Sequence, residues 1–436
     1  MIDNVLPVIF GYDISAYSFA RLFHEFGGYR SLVVADADRG PIQHSRLFDV
    51  RRVPRQVRQN EDLFYAELAK IEEEYPDSTL LLLVNTDDEV EFVSHHRGRL
   101  ERWIAPYSSE EVIERASNKD SMAELITNLG LAVPARIDIA ITPQLGTDVA
   151  TNMQHSQADV APASADRLRE RWAQHLHTLQ FPVIAKPQDA RFSLDRWWNQ
   201  GLRKVKVLPT VAEALCWFDE LVRNGVNTKL IVQELIPGHD TAQWLVNGYV
   251  NSAGEISAIG SGHVLLGLHQ PAYIGNAGIV LLEKNDELIA QAAQIVKAAG
   301  IRGFFSMDVK VDPRDGTAYW LDLNPRIGRG HYYLKVGGVD LAKALIDDVE
   351  GRPMQFQTNS ATGIFSIIPQ VIATRKYVPD AELWKKVKDA RKVAKVDPLA
   401  YSKDRHLKRW IYRTLHGINE ARRMRQFYPE PTYTGF

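Results

Sequence analysis

Asp308, Asp322 and Asn324 carry the oxygen ligands from which the sequence could build a metal site. They fall on two runs, 304–311 and 318–324, that read as adjacent strands joined by the turn residues Asp312-Pro313-Arg314-Asp315-Gly316. Side chains alternate across a strand, so Asp322 and Asn324 face one side and the hairpin brings Asp308 beside them. Two carboxylates and an amide oxygen are hard ligands of the kind magnesium takes, and magnesium usually keeps waters and substrate phosphates in its shell. Arg326, two residues further on, shares that face and has a planar fork that can grip a phosphoryl or carboxylate oxygen twice. Arg329 and His331 continue into the loop behind. Phe304, Phe305, Trp320 and Leu321 argue for a packed hairpin rather than a solvated one.

A second group runs from Ile231 through Gln233-Glu234-Leu235-Ile236-Pro237-Gly238 to Asp240. A strand ending in a Pro-Gly turn leaves backbone N–H and C=O groups, here around Glu234, Leu235 and Ile236, that can pair with a purine edge. Glu234 and Asp240 are the acids placed to meet ribose hydroxyls. Lys186 closes the apolar strand Val183-Ile184-Ala185, where an unpaired amine is costly to bury. Lys119, in Ser117-Asn118-Lys119-Asp120, opens a helix whose dipole favours anions. Taken singly, either lysine also fits a snorkelling surface position.

These side chains need a scaffold, and 436 residues exceed one ordinary core. Strand, helix and strand signals alternate at the start: Val5 to Phe10, then Ala16 to Phe26 closed by Gly27-Gly28, then Leu32 to Ala35. Leu80 to Val84 has the aliphatic run of a doubly covered parallel strand. This predicts a βαβ layer over residues 1–112. A helix is expected over 111–129, stopped by Gly130 and Pro134, and Thr142 to Asp166 lacks periodicity and reads as an exposed loop. Strands over 181–186, 204–208 and 230–235, with a helix over 211–225, complete a segment at 113–235. Strands dominate 244–282, a helix covers 286–300, and the hairpin follows, giving a segment at 236–355. Residues 356–436 form an extension with a basic helical tail over 404–428.

Composition narrows the classes. The chain is 45% hydrophobic and 24% charged, as a soluble globular protein is. A net charge of −2 gives the molecule as a whole no pull toward nucleic acid, which is not an expected partner. The single Cys216 excludes an internal disulfide framework and fits a reducing compartment; its neighbours Leu215, Trp217 and Phe218 suggest a buried structural thiol. The start, Met1-Ile2-Asp3-Asn4, is not a secretory signal, and no apolar run spans a bilayer, so a cytoplasmic location without stable membrane insertion is expected. Lys408, Arg409, Arg413, Arg422, Arg423 and Arg425 read as the solvated face of a helix docked through Trp410, Ile411 and Leu415. The assembly is open, a homodimer included.

In this order and spacing, Lys119, Lys186, the Glu234–Asp240 hinge and Asp308/Asp322-x-Asn324-x-Arg326 resemble the ATP-grasp superfamily, over roughly Gly11 to Gly351. The resemblance implies an α/β chain, α+β in its catalytic part, with a Rossmann-like βαβ domain ahead of the ATP-grasp fold. It implies ATP held by Lys119, Lys186 and the hinge, and two magnesium ions on Asp308, Asp322 and Asn324. Softer stretches resemble the D-aspartate ligase branch, bacterial enzymes that add an aspartate to the peptidoglycan stem peptide. These are Gly11-Tyr12-Asp13 with Tyr17 and Ala20-Arg21, Ile236-Pro237-Gly238-His239-Asp240, Gly262-His263, Ile274-Gly275-Asn276 and the hairpin turn.

That branch implies ATP-dependent ligation of a small carboxylic acid to an amine through an acyl phosphate, with a peptidoglycan precursor among the partners. Arg326, Lys186 and Arg329 would serve the chemistry, and Asp13, Tyr17, His263 and Asn276 the acid and amine sites. Two departures stand out. Gln188-Asp189-Ala190-Arg191-Phe192-Ser193 has no glycine where the family covers the phosphates, so Arg191 or Ser193 would take over that contact. Asp322-x-Asn324 replaces the commoner Glu-x-Asn, so the metal sits nearer the strand. Other readings are a ligase for different amino-acid or peptide substrates, a dinucleotide-dependent oxidoreductase, and a nucleotide-binding regulator without catalysis. The oxidoreductase is prompted by the βαβ layer and Asp36, but Gly11-Tyr12-Asp13-Ile14-Ser15-Ala16 lacks the glycine spacing a pyrophosphate needs.

Overall fold

The computed structural model describes residues 4–142, 162–188 and 198–435. The chain forms two compact units, one of residues 1–133, 238–268 and 276–431, the other of 134–237, 269–275 and 432–436.

The first unit opens with a parallel sheet ordered β3-β2-β1-β4-β5. Its members are β1 (Val5–Phe10), β2 (Ser31–Ala35), β3 (Phe48–Arg52), β4 (Thr79–Leu83) and β5 (Trp103–Ile104). Odd and even positions of β1, β2 and β4 are buried alike, which is why these strands read as unbroken apolar runs. β3 carries Asp49, Arg51 and Arg52 among its five residues and β5 is two residues long, so neither showed in the sequence pattern. Helix α1 (Ile14–Gly27) starts at Asp13, whose side chain accepts from the N–H groups of Ser15 and Ala16, and stops at Gly28 with φ 71°. α2 (Glu61–Glu74) and α3 (Asp87–His95) follow.

The helix expected over 111–129 is two. α4 (Glu110–Ser117) ends and α5 (Lys119–Asn128) begins at Asn118, whose side chain accepts from the N–H groups of Asp120 and Ser121. A side chain that caps the new helix turns the backbone out of the old one, leaving Lys119 as the first residue of α5.

The second unit holds β6 (Arg136–Ile141), α6 (Pro162–Leu176), β7 (Val183–Pro187), β8 (Lys206–Leu208), α7 (Val211–Arg223) and β9 (Thr228–Glu234). Its sheet is antiparallel, ordered β6-β9-β7-β8. Trp172 and Leu176 of α6 and Phe218 and Leu221 of α7 pack on Val183, Ala185, Leu230 and Val232. The loop expected over 142–166 falls largely on 143–161, outside the described residues, and α6 already begins at Pro162. Cys216 is exposed, not buried, because α7 turns Ala214, Leu215, Trp217, Phe218 and Leu221 inward.

The first unit resumes with β10 (Gln243–Val250), β11 (Ile256–Gly267), β12 (Ala277–Leu282), α8 (Asp286–Ala299), β13 (Gly303–Val311) and β14 (Ala318–Asn324). After α9 (Tyr333–Val336) and α10 (Leu341–Val349), strands β15 (Gly363–Ser366) and β16 (Lys395–Val396) flank α11 (Ala381–Val393), and α12 (Leu407–Phe427) closes the chain. The seven strands form one sheet, ordered β14-β13-β10-β11-β12-β15-β16. One face packs Trp244, Val246, Phe305, Met307 and Val309 against Met122 and Ile126 of α5 and Ala292 and Ile295 of α8. The basic tail is helical, but it does not dock through Trp410, Ile411 and Leu415, which are exposed; Arg409, Glu420 and Met424 face inward instead.

Candidate active site

β10 lies between β11 and β13, so its register decides which side chains share a face. Trp244 stands opposite both Val309 and His263, whereas Leu245 stands opposite both Asp308 and Gly262. Asp308 therefore lies on the face away from the α5 and α8 core, together with Ser306 and Lys310 at alternate positions. On β14, Asp322 is opposite Asp308 and Asn324 opposite Ser306. The register shift beside Val309 gives β14 an extra residue, which returns Trp320 to the core while Asp322 and Asn324 keep the Asp308 face.

Two carboxylates directly opposed across strands repel unless a cation meets them. Lys119 supplies one: its Nζ is 3.2 Å from Asp322 Oδ1, with both side chains about one-third exposed. Gln243 Nε2 lies 3.5 Å from Asp308 Oδ1. Half-buried hard oxygens with an excess of negative charge fit magnesium well. The expected juxtaposition of Asp308, Asp322 and Asn324 thus exists, and Lys119 joins it.

The loop after β14 is clamped. Arg326 Nε is 2.5 Å from Asp87 Oδ1 at the start of α3, and Arg329 Nε is 3.8 Å from Asp13 Oδ2. Gly328 lies so close to β13 that a Cβ there would fall 2.6 Å from Ser306 Oγ. His331 is 1% exposed; its Nδ1 donates to the Gly328 carbonyl at 2.8 Å and its ring packs edge-on to Phe19. Burial lowers its pKa to about 4, outweighing the hydrogen bond, so the imidazole is neutral. Asp13 is thus both the cap of α1 and the anionic neighbour of Arg329.

Several expected contacts fall elsewhere. His263 is on the core face, not with Asp308: its ring stacks on Trp244 at 4.0 Å, and its nitrogens meet the Thr241 carbonyl and Glu283. Tyr17 is wholly buried and donates to Asp404 at 2.9 Å with Arg409 over its ring, so it ties the C-terminal segment down instead of meeting a substrate. Burial raises its pKa. Asp240 is buried and accepts from the Gly267 N–H at 2.7 Å, so its carboxylate is committed to the fold rather than to a ribose. Asn276 is half-buried beside β12, its carbonyl accepting from the Leu268 N–H.

The sequence reading passed over Lys310. Burial lowers its pKa to about 8, against the charges of Asp240 and Asp312 that raise it. The signal was present, since Lys310 is two residues from Asp308 and must share its face.

In the second unit, Lys186 is opposite Ile231, and Ile184 is opposite Gln233, which is opposite Arg136. Lys186 therefore shares a face with Ile184 and Ile231, an apolar floor edged by basic groups. Glu234 is opposite Val183 on the other face, and its carboxylate accepts from the Gln180 N–H at 2.8 Å. Its own N–H donates to Ala135 and that of Leu235 to Pro182. Of the groups expected to meet a nucleotide, the Glu234 carboxylate and these two N–H groups are thus already engaged, while Ile236 follows, buried, at the strand end. Arg191 and Ser193, expected over the phosphates, lie outside the described residues.

No protein-family model matches the chain. It is 25% identical over 420 residues to the D-aspartate ligase of Enterococcus faecium (strain Aus0004), covering 94% of this chain and 93% of that protein. The ADP complex of N5-carboxyaminoimidazole ribonucleotide synthetase matches with a TM-score of 0.55 at 14% identity, over 83% of this chain and 80% of the other. The L-amino acid ligase from Bacillus licheniformis matches with a TM-score of 0.51 at 14% identity, over 80% and 74%. At such identities the two solved structures speak for the fold alone.

Proposed function

We propose, for a chain that is an ATP-dependent carboxylate–amine ligase of the ATP-grasp fold and a homologue of D-aspartate ligase, that its acid is aspartate or a similar amino acid. The amine would belong to a peptidoglycan precursor. One observation carries the residue assignment: the Asp308–Asp322 pair stands across strands with Lys119 beside it and Arg326 on the loop that follows.

In this reading a carboxylate oxygen of the acid attacks the γ-phosphorus of ATP, the bond to the bridging oxygen breaks, and ADP leaves. The amine then attacks the acyl carbon, the tetrahedral intermediate expels phosphate, and the nitrogen loses a proton. Such transfer needs positioning and charge neutralisation more than a protein nucleophile. Arg326 grips the transferred phosphoryl group through its fork, and Arg329, oriented by Asp13, faces the acid. By the resemblance, Lys119 and Lys186 would neutralise phosphate oxygens. Asp308, Asp322 and Asn324 would hold two magnesium ions, which offset the charge on phosphate oxygens when bound.

The test uses D- and L-amino acids carrying heavy oxygen in the carboxylate, with ATP, magnesium and an amine acceptor. Aspartate should give the fastest ADP release and pass one labelled oxygen to phosphate. Unlabelled phosphate would refute the acyl phosphate, faster turnover with another acid would refute aspartate, and no ADP with any acid would favour the regulator.

A further inference from the structure

Helix α12 is inverted with respect to the protein that carries it. Its inward side presents Arg409 and Glu420, 7% and 4% exposed, with Met424 as the one buried apolar residue at 1%. Arg409 donates to the carbonyls of Pro41 and Gln43 and pairs with Asp404 at 3.1 Å. Its outward side presents Leu407, Trp410, Ile411, Leu415 and Ile418, exposed at 71, 59, 42, 60 and 63%. Positions 407, 411, 415 and 418 recur at three- and four-residue steps and so form one stripe, with Trp410 beside it. A surface helix normally turns such a stripe to the core. Here polar groups hold the helix down and the apolar stripe is left outside, as at a surface that meets a partner or a membrane.

Charge selects the occupant. The two acids of segment 403–427, Asp404 and Glu420, are buried, whereas Lys403, Arg405, Lys408, Arg422 and Arg425 are exposed. On helical spacing Lys408 stands at the edge of the stripe, and Arg422 and Arg425 continue its line beyond Ile418 toward the end of the helix. A second copy meeting this face about a two-fold axis would set cation against cation: each against its own equivalent if the helices ran parallel, and Lys408 against the Arg422–Arg425 end if they ran antiparallel. An anionic bilayer suits both parts: the stripe enters the headgroup–acyl boundary and the cations meet lipid phosphates. With a net charge of −2 the chain has no global attraction, so the effect is local to α12.

We propose that α12 seats the protein on an anionic membrane surface, lying in its plane. Among the described residues no helix is long and apolar enough to cross a membrane. This proposal does not depend on the identity of the acid or the amine.

The test is sedimentation of the full chain with vesicles of phosphatidylglycerol and phosphatidylcholine in equal parts, against phosphatidylcholine alone. Retention is expected on the first and should fall at high salt. Arg422→Gln with Arg425→Gln should lower partitioning about tenfold or more, since each basic residue near such a surface contributes about 1 kcal/mol. Leu415→Asp with Ile418→Asp should abolish retention while turnover on soluble substrates is unchanged. Equal recovery on both vesicle types, or retention of the aspartate variant, would overturn the proposal. So would a dimer in vesicle-free solution that the aspartate substitutions dissociate, with no vesicle binding by the parent; that result would give the face to a second copy.

Discussion

Arg326 and Asp87 meet across 239 positions of sequence, Nε lying 2.5 Å from Oδ1. The arginine is 19% exposed and the aspartate 58%. An ion pair with one partner this exposed adds little stability, so its effect is to aim the guanidinium. Arg326→Ala is expected to lower turnover about a hundredfold or more, the typical cost of a lost oxyanion contact, with ATP affinity largely kept. Arg326→Lys should not restore it, because an ammonium lacks the planar fork. Single-turnover rates beside ATP titration check this; near-normal turnover in the alanine variant would remove Arg326 from the chemistry.

The Asp308–Asp322 pair predicts two effects of opposite sign. Asp308→Asn should move the midpoint of magnesium activation by at least the roughly tenfold that even outer-shell partners of a metal cost. In metal-free protein the same change relieves a cross-strand repulsion and should raise stability by a few tenths of a kcal/mol. Magnesium titration of activity and thermal melts in chelator read the two separately. An unchanged titration curve would refute the metal assignment.

His331 sets an acid limit. Its folded pKa of about 4 lies below its ordinary 6.5, so the unfolded chain takes the proton first as pH falls. The stability it contributes is complete above about pH 6.5 and is lost toward pH 4, at up to about 1.4 kcal/mol per pH unit. In His331→Gln that part of the acid slope should disappear. Urea melts of both proteins between neutral pH and about pH 4.5 show it; parallel curves would contradict the buried neutral imidazole.

Tyr17→Phe separates a structural role from a substrate role. Losing the hydrogen bond to Asp404 should cost about 1 kcal/mol, because Asp404 keeps Ser45, the Arg46 N–H and Arg409 as partners. KM for both substrates should stay unchanged. A large rise in KM for either one would return Tyr17 to a binding site.

The parts of the site that were legible in the sequence are those set by local spacing. Asp322-x-Asn324 on a strand fixes a shared face within three residues, and a Pro- and Gly-bearing turn announces the hairpin. The start of a helix at Lys119 was legible from its capping Asn118, but the end of the preceding helix there was not, since the polar and apolar pattern of 111–129 runs on without a Gly or Pro. His263 was misplaced because its face depends on pairing through β10 to Val309, 46 positions away (309 − 263). Tyr17 finds its hydrogen-bond partner 387 positions on, which no window reaches. The stripe on α12 was visible as a pattern, but a pattern does not say which side meets the protein. Arg409, through the carbonyls of Pro41 and Gln43, reverses the expected orientation.

The position of β10 between β11 and β13 works like a reading frame. Both neighbours pair along it, so one inserted residue would turn its own side chains to the other face and take Trp244 out of line with Val309 and His263 at once. A residue added in the turns at 251–255 or 312–317 would leave that count intact, whereas one added within β10 would not.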